Sequence, residues 1–314
     1  MIKMNNITFK PLTAMPYKQN ETYQELPPSN PELAKYIRCF WGSGQPYQKR
    51  EEHDAPELVI PDTCVDIIYN IDHTDYTITG MFCGINDAAF ESGNDGACGH
   101  LVSTFAIRFY AWGAYPFAED SLRGTVNGFY DVCSRFTWLD RVLRQQLFEK
   151  HSLAERAAVV EDLFLGKISV ASAGATTGCV PGGMLFSAKM RENNIVDRAV
   201  SQIHLHRGAI DAAGLARECF VSGRQLERVF HEYVGMTPKK FCNLVRYQYL
   251  WGEIIRNPAF QAADAVYRYG YADQSHLLRE FKRYHTMDIR RARASAFEHV
   301  GNIQYSCGDN RYHI

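Results

Sequence analysis

Two stretches in the last third of the chain repeat one pattern, and that repeat limits the possible folds more than any other feature. Leu226, Arg228, Phe230 and Tyr233 each recur 51 positions later, as Leu277, Arg279, Phe281 and Tyr284. Leu215-Ala216 and Val221-Ser222 lead into the first copy, and Tyr271-Ala272-Asp273-Gln274-Ser275-His276 leads into the second. Ser222 and Asp273 are residue types whose side-chain oxygens cap helix N-termini. Behind each cap the apolar residues fall three or four apart, with Arg on the opposite face. Two such helices in tandem predict two helix-turn-helix units, and these point to DNA as the partner.

The spacing assigns a face to each residue. In the first unit Ile210, Leu215 and Ala216 pack a supporting helix, and a second helix runs from about Gly223 to Tyr233. Leu226, Val229, Phe230 and Tyr233 point inward, leaving Arg224, Glu227, Arg228 and His231 outside. In the second unit Leu277 and Phe281 point inward, and Gln274, Ser275, Leu278, Arg279 and Lys282 stay outside. Those outward side chains suit base edges: Arg pairs with guanine, Gln with adenine, and Glu accepts from cytosine. Lys239 and Lys240, just past the first copy, are expected at phosphates.

Charge supports this division. The chain as a whole carries a formal charge of -1. Residues 191–300 hold 17 Lys and Arg against 12 Asp and Glu, a net +5, whereas residues 1–190 hold 16 against 22, a net -6. The basic half is the half with the repeat, as a phosphate backbone requires.

Further limits come from composition. With 314 residues, 46% of them hydrophobic, the chain is long enough for two globular domains with separate cores. No apolar run reaches the ~18 residues of a membrane span, and the start lacks a signal-peptide pattern, so a soluble, cytoplasmic protein with no membrane partner is expected. The nine cysteines are scattered, and none forms a Cys-x-x-Cys pair. Reduced, buried thiols are expected rather than disulfides or zinc. His53, His73 and His100 with Cys64 lack metal-ligand spacing, so no metal and no cofactor is predicted.

The first half has a different texture. Pro28-Ser29-Asn30-Pro31-Glu32 followed by Leu33, Ile37 and Trp41 predicts a short amphipathic helix to about Phe40. Segments 57–60, 65–69, 76–81 and 104–110 are rich in β-branched and aromatic residues and read as strands, separated by Gly, Asp and Asn turns. Pro61-Asp62-Thr63-Cys64 reads as a turn after a strand. From Thr137 to about Leu165 the period becomes helical, with Leu139, Val142, Leu143 and Leu147, then Leu153, Ala157, Val160 and Phe164. Residues 166–190 are Gly-, Ala-, Ser- and Thr-rich and read as a linker.

The expected architecture is therefore α+β in two domains. Residues 1–165 form a β-rich barrel or sandwich with flanking helices, and 191–300 form an all-α domain of two helix-turn-helix units joined by a linking helix. A tail, 301–314, has no strong pattern. Trp41, Tyr69, Arg108, Tyr110 and Trp112 are candidates to line an effector pocket with aromatic walls and one cation. Arg108 stands out among them, because a charge within a strand needs a partner.

On these residues, 193–294 resemble the double helix-turn-helix domain of AraC/XylS-type transcriptional regulators. The carrying segments are Leu215-Ala216, Ser222 to Phe230, Val234-Gly235-Met236-Thr237-Pro238-Lys239, Val245-Arg246, Gly270 to Leu277, and Arg279-Glu280-Phe281-Lys282. The resemblance implies a helix from near Val245 to Ile255 that joins the units rigidly, with Arg224, Glu227, Arg228, Gln274, Ser275 and Arg279 at bases. The chain departs from the pattern at Leu250-Trp251-Gly252, where the family has a small Ala, and at His285-Thr286-Met287-Asp288-Ile289, where the family has Gly then Thr-Pro. The first half is more loosely similar to the effector-binding or dimerisation domain of such regulators, through segments 37–41, 59–68 and 107–109. The implied partners are a double-stranded promoter or operator, RNA polymerase and a small-molecule effector, and the protein would act as a monomer or homodimer.

Two rival functions follow from the same residues. A thiol-responsive regulator on this fold would use the cysteines as its input. A DNA-repair enzyme with a DNA-binding appendage would need a zinc-holding or reactive cysteine motif, which the scattered thiols do not supply. No Gly-x-Ser-x-Gly, Walker or His-Glu-x-x-His motif occurs, so no enzymatic activity is expected.

Overall fold

A computed structural model describes residues 11–12, 23–49, 57–92, 99–166 and 193–298. The expected linker, apart from Gly166, and the tail lie outside the described residues. In the first half nine strands are described: β1 (Tyr23–Leu26), β2 (Ile37–Ser43), β3 (Tyr47–Gln48), β4 (Glu57–Val59), β5 (Cys64–Asp72), β6 (Thr77–Cys83), β7 (Phe90–Ser92), β8 (Leu101–Tyr110) and β9 (Phe129–Asp131). Seven of them form an antiparallel sheet in the order β1-β2-β8-β5-β6-β9, with β3 also on β8, while β4 and β7 pair separately. Among the described residues the strands do not close into a barrel.

Alternation along the long strands explains the layering. Phe40, Ile67, Tyr69, Ile71, Phe82, Phe105, Ile107 and Phe109 are fully buried on one face. Two helices cover that face, α1 (Thr137–Leu147) and α2 (Leu153–Phe164). Every apolar position that the helical period selected in them is buried. Ser152 and Glu155 form a reciprocal capping box that starts α2. On the opposite face lie Cys39, Trp41, Asp66, Ile68, Ala106 and Arg108, as the register Cys39↔Arg108↔Asp66 and Trp41↔Ala106↔Ile68 requires.

The helix expected up to Phe40 is instead a single 3-10 turn, Leu33–Lys35, followed by strand β2. Its fourfold spacing stops at Ile37-Arg38-Cys39-Phe40-Trp41, whose β-branched and aromatic residues pack both faces of a sheet strand. At Pro61-Asp62-Thr63-Cys64 the expected turn is present: Thr63 has φ 67°, and Asp62 accepts a hydrogen bond from the Cys64 backbone N–H at 3.0 Å.

The second half is helical: α3 (Asn194–Leu205), α4 (Ala212–Glu218), α5 (Gly223–Tyr233), α6 (Pro238–Arg256), α7 (Ala262–Tyr269), α8 (Gln274–His285) and α9 (Ile289–Glu298). None of the described helices is long and apolar enough to cross a membrane. The expected separate cores are joined, because one contiguous cluster of buried apolar residues runs through both halves. Trp112 packs edge-on to His204 and Phe241, and the rings of Tyr115 and Tyr233 lie 4.1 Å apart. Leu122 N–H donates to the Glu232 carbonyl at 2.9 Å, and Tyr115 Oη donates to Glu232 Oε1 at 2.7 Å.

Candidate nucleic-acid interface

The repeat survives as geometry. Ser222 caps α5 by accepting from the Gln225 backbone N–H at 3.2 Å, and Asp273 caps α8 by accepting from that of His276 at 2.7 Å. Leu226, Val229, Phe230 and Tyr233 are buried under α5, and Leu277, Phe281 and Tyr284 under α8. Past each helix the chain turns in the same way. Gly235, with φ 86°, has its counterpart at the 51-residue offset in Thr286, with φ 63°. Thr237 then caps α6 through the Lys240 N–H at 3.2 Å, and Asp288 caps α9 through the Arg291 N–H at 2.9 Å. Asp288-Ile289 thus does the work of Thr237-Pro238, although the sequences differ.

The faces fall as the spacing predicted. Arg224, Glu227 and Arg228 are exposed on α5, with His231 half-buried. Gln274, Ser275, Arg279 and Lys282 are exposed on α8, and Lys239 and Lys240 are exposed in the first turn of α6. Arg228 lies 3.9 Å from Glu232 one turn on, which leaves its guanidinium mostly in solvent. The structure thus puts these ten side chains on or beside the two outward helix faces.

Linking helix α6 carries the second unit on its buried side. Arg246 donates to Glu280 on α8 from Nε at 3.2 Å and from Nη2 at 2.9 Å to each carboxylate oxygen. Tyr271 Oη also donates to Glu280 at 2.9 Å, and its ring lies 4.4 Å from the Arg246 guanidinium. Trp251 is buried 4.4 Å from the His285 ring, and Tyr247 Oη lies 2.8 Å from His285 Nδ1. The bulky Trp251 therefore fills the joint between units, and α6 runs unbroken through Gly252. Sequence reading missed the Arg246–Glu280 pair. Its signal was weak: a Glu on a helix otherwise outlined by cations.

The effector candidates are not all brought together. Tyr69 lies on the helix-covered face, where its own burial, and then the nearby Asp140 charge, push its phenol pKa well up. The other four lie toward the opposite face or its edge. Arg108 donates to Asp66 from Nε and Nη2, both at 2.9 Å, and lies 3.5 Å from Asp62. Trp41 Nε1 donates to the same Asp66 at 2.9 Å, and its ring is 5.5 Å from the Arg108 guanidinium. Tyr110 stacks on Trp112 at 4.8 Å. The charge in the strand found its partner one strand away, in Asp66, which sequence reading had not singled out.

The buried thiols sit in environments that suppress the thiolate. Burial pushes Cys39, Cys83 and Cys242 up to about 12, and Cys64 well up. Cys133 is exposed, and hydrogen bonding to Asp131 raises its pKa too. Among the described residues, Asp72, Asp75 and His100 offer ligand atoms within 4.8 Å of one another. Asp72 there accepts from the Thr74 and Asp75 backbone N–H groups and lies 2.6 Å from His100 Nδ1, which closes the β5–β6 turn.

A helix-turn-helix domain family matches residues 215–295, and a domain of unknown function, DUF6597, matches residues 24–128. No curated protein matches the chain. Among solved structures, an AraC-type DNA-binding domain regulator from Chromobacterium violaceum is 22% identical over 32% of this chain and 89% of its own, with a TM-score of 0.30. ToxT from Vibrio cholerae is 11% identical over 82% of this chain and 98% of its own, with a TM-score of 0.36. A ToxT structure with bound unsaturated fatty acid, from strain SCE256, is 10% identical over 93% and 100%, with a TM-score of 0.33.

Proposed function

We propose, starting from the AraC-type helix-turn-helix domain that the C-terminal region of this DNA-binding transcription regulator carries, that α5 and α8 read two segments of one operator. The observation that supports this most is the repeated unit: two helices with equivalent caps, equivalent turns and equivalent outward faces. Helix α6, 19 residues long, spans about 28 Å. That is close to the roughly 34 Å turn of a duplex, so two helices fixed to it can enter successive major-groove segments on one side. Arg228 and Arg279 then read guanine, Gln274 reads adenine, Glu227 accepts from cytosine, and Arg224, Ser275, His231 and Lys282 flank them. Lys239 and Lys240 hold phosphates. Residues 1–165 act as the control domain, 166–190 as the linker and 191–300 as the reader.

The control input we assign to a small-molecule effector at the Trp41–Arg108–Tyr110–Trp112 side of the sheet. Trp112 also touches the reader half, so occupancy there would be felt at α3 and α6. A thiol input is disfavoured by burial and raised pKa at Cys39, Cys64, Cys83 and Cys242. Selection of bound sequences from a random duplex pool tests the reading. One asymmetric site with two short motifs about a helical turn apart is the expected result; enrichment of a single motif would reduce the reader to one helix.

A further inference from the structure

The two units are gripped by the first half at equivalent places. Glu232 on α5 receives hydrogen bonds from Tyr115 and Leu122, and its counterpart 51 residues on is Arg283 on α8. Arg283 Nη2 lies 3.8 Å from Asp87, a residue of the segment after β6. Lys240 Nζ, from the first turn of α6, donates to the same Asp87 Oδ2 at 2.7 Å. Asp87 is only 6% exposed. It is fixed from behind by Asn127, whose Nδ2 donates to Oδ1 at 2.6 Å and whose Oδ1 accepts from the Asp87 backbone N–H at 2.8 Å. One buried carboxylate of the first half therefore faces a cation from the start of the linking helix, just past the first unit, and one from α8 of the second unit. Both cations keep about half of their side-chain surface in solvent, so a second anion can approach them.

We propose that Asp87 is an internal stand-in for a DNA phosphate: it holds Lys240 and Arg283, and full engagement of the duplex passes these two cations from Asp87 to the phosphodiester backbone. The inference rests on the DNA-reading function proposed above. Exchange of one anionic partner for another changes the number of ion contacts little. The balance is therefore set by how firmly the first half keeps Asp87 in place, and any ligand that shifts that half shifts DNA affinity. The contact also predicts weak binding to arbitrary sequence while Asp87 is docked, since non-specific affinity comes from phosphate contacts.

The test is a salt titration of binding to a random-sequence duplex by the intact protein, its Asp87→Asn variant, the Lys240→Gln/Arg283→Gln double variant, and the combination of all three. Asp87→Asn should bind roughly threefold to tenfold tighter near 0.1 M salt and steepen the logarithmic salt slope by about one to two. In the background lacking both cations, Asp87→Asn should change nothing. An equal gain in both backgrounds would mean that Asp87 acts only through its long-range field and would overturn the latch. No gain in either background overturns it as well. Failure of every protein to bind any duplex at low salt would instead remove the DNA-reading function, and the latch with it. Melting curves of each variant establish that folded proteins are being compared.

Discussion

Thr286 carries a cost that its counterpart Gly235 avoids. A β-branched residue at φ 63° sits where Cβ crowds the following carbonyl, and such strain is of order 1–3 kcal/mol. Glycine would relieve it but lose about 0.5–1 kcal/mol through greater unfolded-state freedom. Thr286→Gly is expected to stabilise the protein by about 1 kcal/mol, read as a higher urea midpoint with an unchanged slope; a lower midpoint would mean that the Thr286 hydroxyl, 2.7 Å from the His285 carbonyl, matters more than the strain. At the reading faces, Arg228→Ala and Arg279→Ala should each cost roughly 1–3 kcal/mol on the selected site and relax preference at particular base pairs. A loss equal for all sequences would assign these side chains to phosphates. Folding stability should barely move with Arg228→Ala, because its exposed contact with Glu232 is of the kind worth under ~1 kcal/mol.

Among the elements, the reader helices were legible because local rules and packing agree there. Ser222 and Asp273 are local signals, and the three-to-four spacing of Leu226, Val229 and Phe230 reports a buried stripe directly. The segment 33–41 was misread for the converse reason: its helix-like spacing is shared by a strand that is buried on both faces. Nor could spacing reveal Arg246 with Glu280, since that pair depends on how α8 lies across α6. Both side chains are largely buried, so removal of one partner strands a charge. Arg246→Met or Glu280→Met is expected to cost about 3–5 kcal/mol, whereas the double substitution should recover much of it. Urea unfolding of the two single variants and the double variant measures the coupling. If the loss in the double variant equals the sum of the two single losses, the pair is not the tie between linking helix and second reader.

Across the whole molecule, the joint between halves is the feature that sequence could not supply. Trp112 was grouped with a pocket, yet it packs on His204 and Phe241 of the reader half; nothing in its spacing distinguishes an aromatic residue of one core from one that bridges two. That joint and the one between α6 and α8 each hold a buried, titratable ring. Burial lowers His204, at the interface, and His285, between α6 and α8, from 6.5 to about 4. Between those values the unfolded chain binds a proton at each site that the folded chain refuses, so unfolding is favoured as pH falls. The stability due to the neutral rings is complete above about 6.5 and is lost progressively down to about 4, by up to about 3 kcal/mol for each histidine. His100 shifts upward through its hydrogen bond to Asp72, which acts in the opposite sense at a half-buried site. Asp87 is lowered below the ordinary carboxylate value despite burial, by Lys240 and Asn127, so its loss belongs below this window. Urea midpoints measured from pH 7.5 down to about 5, above the ordinary carboxylate range, should therefore already fall. His204→Gln should flatten the part of that fall due to the interface, and a wild-type midpoint unchanged across the window would mean that both rings take up protons without leaving the folded core.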